Sequence, residues 1–262
     1  MNVISANGIM LHIREEGDVN GIPVVFSNSL GTDLRLWDRL IPLLPAGFRY
    51  IRYDTRGHGL SECPKGQYTI DDLASDAVSL IENLALDRAI FIGLSIGGMT
   101  GQKLAATRPD LLRGLVLSNT ASKMGDPVMW QERISAIEEG GICALADAIL
   151  QRWFGPKFRA APDLMLWSNM LTRTPKSGYL SCCAALAAAD LRDQTARIKL
   201  PCLAIAGSLD GSCPPNTVAD TAQLISGSKF HTIDGVGHLP CVEDPNAYAA
   251  VLIPFLEELS ND

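Results

Sequence analysis

A parallel α/β architecture interrupted by a helical insertion is what the sequence predicts, on three observations. Over the first half of the chain, short apolar runs bounded by turn residues alternate with stretches of helical periodicity. The alternation stops near Ala121 and resumes near Leu200. With 262 residues and an apolar fraction of 47%, the chain can bury roughly three quarters of its unfolded surface, so it needs neither disulfide nor metal to hold a core.

The elements follow in order. Residues 3–6 and 9–13 flank Asn7-Gly8, a two-residue hairpin signal. Residues 23–27, 50–53, 89–93 and 115–118 are short apolar runs of the kind that form central strands covered on both faces. Between them, residues 71–84 set Leu73, Ala77, Leu80, Ile81 and Leu84 at helical spacing, with Asp71 and Asp72 suited to a helix N-terminus. Residues 99–106 form a second helical run. From 123 to 195 no strand-like run occurs, only helical stretches broken by Gly155-Pro156, Pro162 and Pro175, and three of the four tryptophans (Trp130, Trp153, Trp167) fall there. Residues 202–206 and 229–233 read as two further strands, and 247–259 as a closing amphipathic helix. The predicted division is therefore a core of residues 1–122 and 196–262 with a helical cap, 123–195, over the carboxyl ends of the strands.

Composition excludes several classes. Lys and Arg number 22 against 29 Asp and Glu, a net charge of −7, and no cluster of basic residues marks a nucleic-acid partner. The seven cysteines include no C-x-x-C pair, so they read as buried free thiols rather than a metal or disulfide framework, which predicts a cytoplasmic protein. Residues 1–14 lack the basic start and apolar run of a signal peptide, and no stretch of about 18 apolar residues predicts a membrane span.

The sharpest chemical signal is Gly93-Leu94-Ser95-Ile96-Gly97-Gly98, which follows a strand and opens a helix. A nucleophile elbow needs that context: small residues let the chain turn sharply and project a hydroxyl beside the N–H groups of a helix N-terminus. The bland alternative is a Gly-rich turn that binds a phosphate or nothing. Ser95 requires a base, and the chain has four histidines. His12 reads as a surface strand residue, His58 as a loop-packing residue and His231 as a satisfied structural histidine. His238 follows a strand in Gly235-Val236-Gly237-His238, from where an imidazole can reach the serine. The acid that orients it is Asp210, directly after the strand 202–206, in preference to Asp193 in the insertion. Asp220 and Asp234 read as solvated charges, and Asn119, which follows the strand 115–118, has no carboxylate to offer. The turn Asn28-Ser29-Leu30-Gly31 predicts an oxyanion hole from the backbone N–H groups of Leu30 and Ile96.

With these residues in place, the chain resembles the α/β-hydrolase superfamily over its whole length, through the elbow, Asp210, His238 and the segment Asp54-Thr55-Arg56-Gly57-His58-Gly59-Leu60-Ser61. More narrowly it resembles the 3-oxoadipate enol-lactonases of aromatic catabolism. That resemblance rests on the segment from Ser27 to Asp33, on Arg152-Trp153-Phe154, on the segment from Thr174 to Tyr179, on Cys182-Cys183-Ala184-Ala185-Leu186 and on Asp190-Leu191-Arg192. One departure is Leu239-Pro240-Cys241 after the histidine, where the family carries more polar residues. The resemblance implies a mostly parallel eight-stranded sheet flanked by helices with a helical cap, and hydrolysis of an anionic lactone without metal or organic cofactor. Such a substrate needs a cation away from the reacting carbonyl. Trp130, Arg133 and Trp153 are the expected pocket residues, with Arg152, Arg173 and Lys176 as further candidates. A carboxylesterase, a carbon–carbon bond hydrolase or a perhydrolase would share the triad, and a ligand receptor could be built on the same scaffold. The oligomeric state is not legible.

Overall fold

A computed structural model of the chain describes residues 2–261. Asn7 and Gly8 both take positive φ (50° and 77°), as a primed hairpin turn requires, and so join β1 (Asn2–Ala6) to β2 (Ile9–Gly17). The chain continues through β3 (Ile22–Ser27), β4 (Phe48–Tyr53), α1 (Ile70–Asn83), β5 (Ala89–Leu94), α2 (Ile96–Thr107) and β6 (Leu112–Ser118). Helix α1 starts where Thr69 and Asp72 exchange side-chain-to-backbone hydrogen bonds, a capping box that satisfies two otherwise orphaned donors.

Between β6 and β7 the regular elements are all helices: α3 (Pro127–Gly140), α4 (Ala146–Trp153), α5 (Pro156–Arg159), α6 (Leu164–Thr172), α7 (Lys176–Ala188) and α8 (Arg192–Thr195), with one short 3-10 turn. The two ends of this insertion meet. The Leu191 N–H donates to the Ser122 carbonyl (2.8 Å), and the Thr195 hydroxyl donates to Gln102 Oε1 on α2 (2.7 Å). The remaining elements are β7 (Cys202–Gly207), α9 (Pro215–Gln223), β8 (Lys229–Ile233), α10 (Pro240–Glu243) and α11 (Pro245–Ser260).

The eight strands form one sheet in the order β1-β2-β4-β3-β5-β6-β7-β8. The pairs β1/β2 and β2/β4 are antiparallel and every later pair is parallel. The central strands β5 and β7 are buried at every residue, which is why they read as unbroken apolar runs rather than alternating ones. Strand β8 lies at the edge, and His231 on it is exposed, which corrects its reading as a satisfied structural histidine. The cysteines follow the expected pattern in part: five are buried, Cys63 is half-buried and Cys143 is exposed, and all are free. No helix among the described residues is long and apolar enough to cross a membrane. The parallel order brings the loops after β3, β5, β6, β7 and β8 to the same end of the sheet, and each contributes to the site.

Candidate active site

Strand β5 ends at Leu94 and α2 begins at Ile96, so Ser95 alone makes the turn, with φ 59° and ψ −119°. Close packing around it explains the glycines. A Cβ on Gly93 would lie 2.2 Å from the Gly97 carbonyl oxygen, and one on Gly97 would lie 2.4 Å from the Ser27 carbonyl oxygen of β3. The Ser95 N–H donates to the Ser118 carbonyl (3.0 Å), and its carbonyl accepts from the Thr120 hydroxyl (2.6 Å). These bonds hold the turn on the end of β6.

His238 is 2% exposed and its Nδ1 lies 2.8 Å from Asp210 Oδ2. A carboxylate can only accept, so Nδ1 carries the hydrogen, and in the neutral imidazole Nε2 is then the acceptor. The other Asp210 oxygen accepts from the backbone N–H groups of Ser212 (2.7 Å) and Cys213 (2.9 Å). Asn119 Nδ2 adds a further hydrogen bond to Asp210 Oδ2 (2.9 Å) and lies 3.3 Å from the Gly237 carbonyl. Sequence reasoning set Asn119 aside for lacking a carboxylate; its amide instead ties the acid to the histidine loop. The only signal was its place directly after β6.

After β3, Asn28 is fully buried and fully used: its Nδ2 donates to the Tyr53 carbonyl (2.7 Å) and its Oδ1 accepts from Trp37 Nε1 (2.8 Å). The Gly31 N–H is also spent, donated to His58 Nε2 (3.0 Å). The N–H groups of Leu30 and Ile96 make no hydrogen bond within the protein among the described residues, and the Ile96 group is one of the orphan donors of a helix first turn. Two unspent donors thus lie at the site, one on the residue after Ser95 and one on a residue that lines the same cavity.

Ser95, His238 and Leu30 line a cavity of about 60 Å³ together with Trp130, Arg133, Arg152 and Trp153 from the insertion. All three expected pocket residues are therefore brought to Ser95. Trp130 donates its indole N–H to the Met124 carbonyl (2.6 Å), and the Arg133 guanidinium stands 4.9 Å from the Trp130 ring centroid. Spacing of three residues on α3 puts them on one helix face, where they stack. Of the further candidates only Arg152 is present. Partial burial, and then the neighbouring Arg133 charge, push its pKa below the usual arginine value. Neither arginine enters an ion pair among the described residues. Arg173 lines a different cleft, and Lys176 is exposed with its Nζ on the Glu138 carbonyl (2.8 Å), so neither belongs to this cavity.

That other cleft, about 680 Å³, includes none of Ser95, Asp210 and His238. His12 is found there, paired through Nδ1 with the buried Asp54 (2.8 Å) and only 12% exposed, which corrects its reading as a surface strand residue. Asp54 also accepts from the N–H groups of Leu34 (2.7 Å) and Leu60 (2.8 Å), so it knits the loop after β4 to its neighbours.

Comparison with known proteins bears on the fold and the family. The model of the alpha/beta hydrolase fold family matches residues 22–245. The chain is 38% identical to 3-oxoadipate enol-lactonase 2 of Acinetobacter baylyi, covering 94% of this chain and 93% of that one. It is 32% identical to 3-oxoadipate enol-lactonase 1 of the same organism, over 98% and 97% of the two chains. The crystal structure of the enol-lactonase from Burkholderia xenovorans LB400 superposes with a TM-score of 0.94 at 40% identity, over 98% of this chain and 100% of that one. The order of the sheet, the elbow at Ser95 and these matches along nearly the full length lead to one conclusion: the chain belongs to the α/β-hydrolase family.

Proposed function

We propose that this protein is a serine hydrolase that opens 3-oxoadipate enol-lactone to 3-oxoadipate, a ring-opening step of aromatic catabolism, with residues 123–195 acting as the cap that recognises the substrate. The observation that carries the reading is the content of one cavity: Ser95, His238 backed by Asp210, and two guanidiniums without an anionic partner among the described residues. An unpaired pair of cations beside a nucleophile suits a substrate that brings its own carboxylate. Similarity to enol-lactonases supports the same choice.

In the proposed reaction His238 Nε2 takes the Ser95 proton as the hydroxyl oxygen attacks the lactone carbonyl carbon. The negative charge that develops on the carbonyl oxygen meets the N–H groups of Leu30 and Ile96. Collapse breaks the ring carbon–oxygen bond, and the enol oxygen leaves with the proton held by His238. An enol is a better leaving group than an alkoxide, and it tautomerises to the ketone. Water, deprotonated by the same imidazole, then releases the acyl group from Ser95. Asp210 fixes the tautomer throughout and stabilises the imidazolium. Arg133 and Arg152 hold the carboxylate that does not react, and the faces of Trp130 and Trp153 enclose the ring.

The test compares kcat/KM for the enol-lactone with that for a neutral short-chain aryl ester. The expected preference for the lactone is about a thousandfold, or about 4 kcal/mol of transition-state discrimination. Replacing both Arg133 and Arg152 with Ala is expected to erase most of it by raising KM, and Ser95→Ala to lower kcat by on the order of 10⁶. Equal rates on the two substrates would remove the lactone from the proposal, and retained turnover in Ser95→Ala would remove the serine mechanism.

A further inference from the structure

The segment Arg152-Trp153-Phe154-Gly155 does more than place two side chains in the cavity. The Arg152 carbonyl accepts the Gly211 N–H beside Asp210 (3.2 Å), and the Trp153 carbonyl accepts the N–H of His238 itself (2.7 Å). Two residues on, the Gly155 N–H donates to Glu243 Oε2 (2.9 Å), while the other oxygen of the same carboxylate accepts from the Gly237 N–H (2.6 Å). One carboxylate thus bridges the stretch that carries Arg152 and Trp153 to the residue preceding His238.

The contact is built to be close. A Cβ on Gly237 would lie 2.5 Å from the Trp153 carbonyl oxygen and 3.0 Å from Glu243 Oε1, so only glycine admits both partners. Both donors are backbone N–H groups, and a carboxylate is the side chain that offers two acceptors and no donor. Half-burial raises the Glu243 carboxyl pKa above its usual range, while the Gly237 and Gly155 hydrogen bonds pull it back down. The charged groups acting on it are Asp210, which disfavours the carboxylate, and Arg159, which favours it.

We propose that Glu243 is a positioning residue that sets His238 and the substrate-binding stretch of the cap in register with each other, by bridging Gly237 and Gly155. Through it, anion binding at Arg152 and proton transfer at His238 share one mechanical support. The proposal rests on the reading of Ser95, Asp210 and His238 as the reacting groups.

Glu243→Gln tests it, because the amide keeps one acceptor and turns an NH2 toward the other N–H. A fluorophosphonate counts competent Ser95 sites, so kcat can be expressed per labelled site. Turnover is read on the enol-lactone and on 4-nitrophenyl acetate. We expect the variant to fold with a Tm close to wild type and kcat per labelled site to fall roughly 10–100-fold on both substrates, the loss that a small misplacement of a reacting group produces. KM should rise several-fold for the lactone alone. Wild-type kcat per labelled site and wild-type KM, with any deficit confined to Tm or to the number of labelled sites, would make Glu243 a scaffold residue and overturn the proposal. Glu243→Asp, which keeps the charge but shortens the reach, is read in the same way if Glu243→Gln does not fold. Ser95→Ala separates the two levels: retained turnover there overturns the underlying reading, whereas an inactive Ser95→Ala beside an unaffected Glu243→Gln overturns only this inference.

Discussion

His58 shows how much a single buried side chain can decide. Its Nε2 accepts the Gly31 N–H (3.0 Å) and its Nδ1 faces the Arg56 carbonyl (3.2 Å), which an imidazole can satisfy together only when neutral. Burial pushes its pKa down to about 4 from an ordinary 6.5. Because the folded value lies below the unfolded one, the associated stability is present in full above the unfolded value and is lost as pH falls through the folded one. Across that window the loss is about 3 kcal/mol. In His58→Gln, which retains an acceptor but does not titrate, the fall in urea-unfolding free energy between neutral pH and pH about 4.5 should be smaller than wild type by about 2 kcal/mol. Equal slopes in the two proteins would refute the assignment. At this scale the sequence was legible where residue type and place coincide, as for Ser95, Asp210 and His238. It gave no positive sign of Asn119, whose amide donates to the distant Asp210 carboxylate, or of Glu243, whose partners are backbone N–H groups that leave no mark on residue identity. His12 and Arg173 misled for a related reason: their types fit a surface strand and an anion site, while Asp54 and the orientation of α6 decided where they went.

Among the elements, the β5–α2 turn leaves no room for a side chain at its glycines. Gly97→Ala would bring a methyl group to 2.4 Å from the Ser27 carbonyl oxygen, a backbone atom of a central strand that cannot swing away. The expected cost is about 3 kcal/mol or more, since relief requires moving α2 against the sheet. Thermal unfolding with kcat on the same preparations checks this; a Tm within a degree or two of wild type would show that the helix can shift without strain. The strands β3, β5, β6 and β7 could be read directly because burial on both faces makes their central residues apolar. The six helices of the insertion could be recognised only as a helical region, since Gly and Pro mark where helices break but not which faces meet.

Across the whole molecule one buried apolar cluster runs without interruption from the sheet into the insertion, taking in Leu30, Ile96 and Ile205 along with Ile137, Leu150, Trp153 and Tyr179. Residues 123–195 are therefore expected to unfold together with the sheet, in a single calorimetric transition whose enthalpy equals the van't Hoff value. Two separated transitions would mean that the insertion melts alone. Cooperativity of this kind has a consequence for Ser95. A serine at φ 59° and ψ −119° is held in backbone space that side chains avoid, at a cost of about 1–3 kcal/mol against a total folding free energy of only about 5–15 kcal/mol. The three glycines at positions 93, 97 and 98 and the Thr120 hydroxyl make that conformation possible, but they do not make it favourable. Glycine would occupy position 95 with less strain. The strain at position 95 is therefore what the proposed nucleophile costs the fold, a cost that glycine there would largely remove.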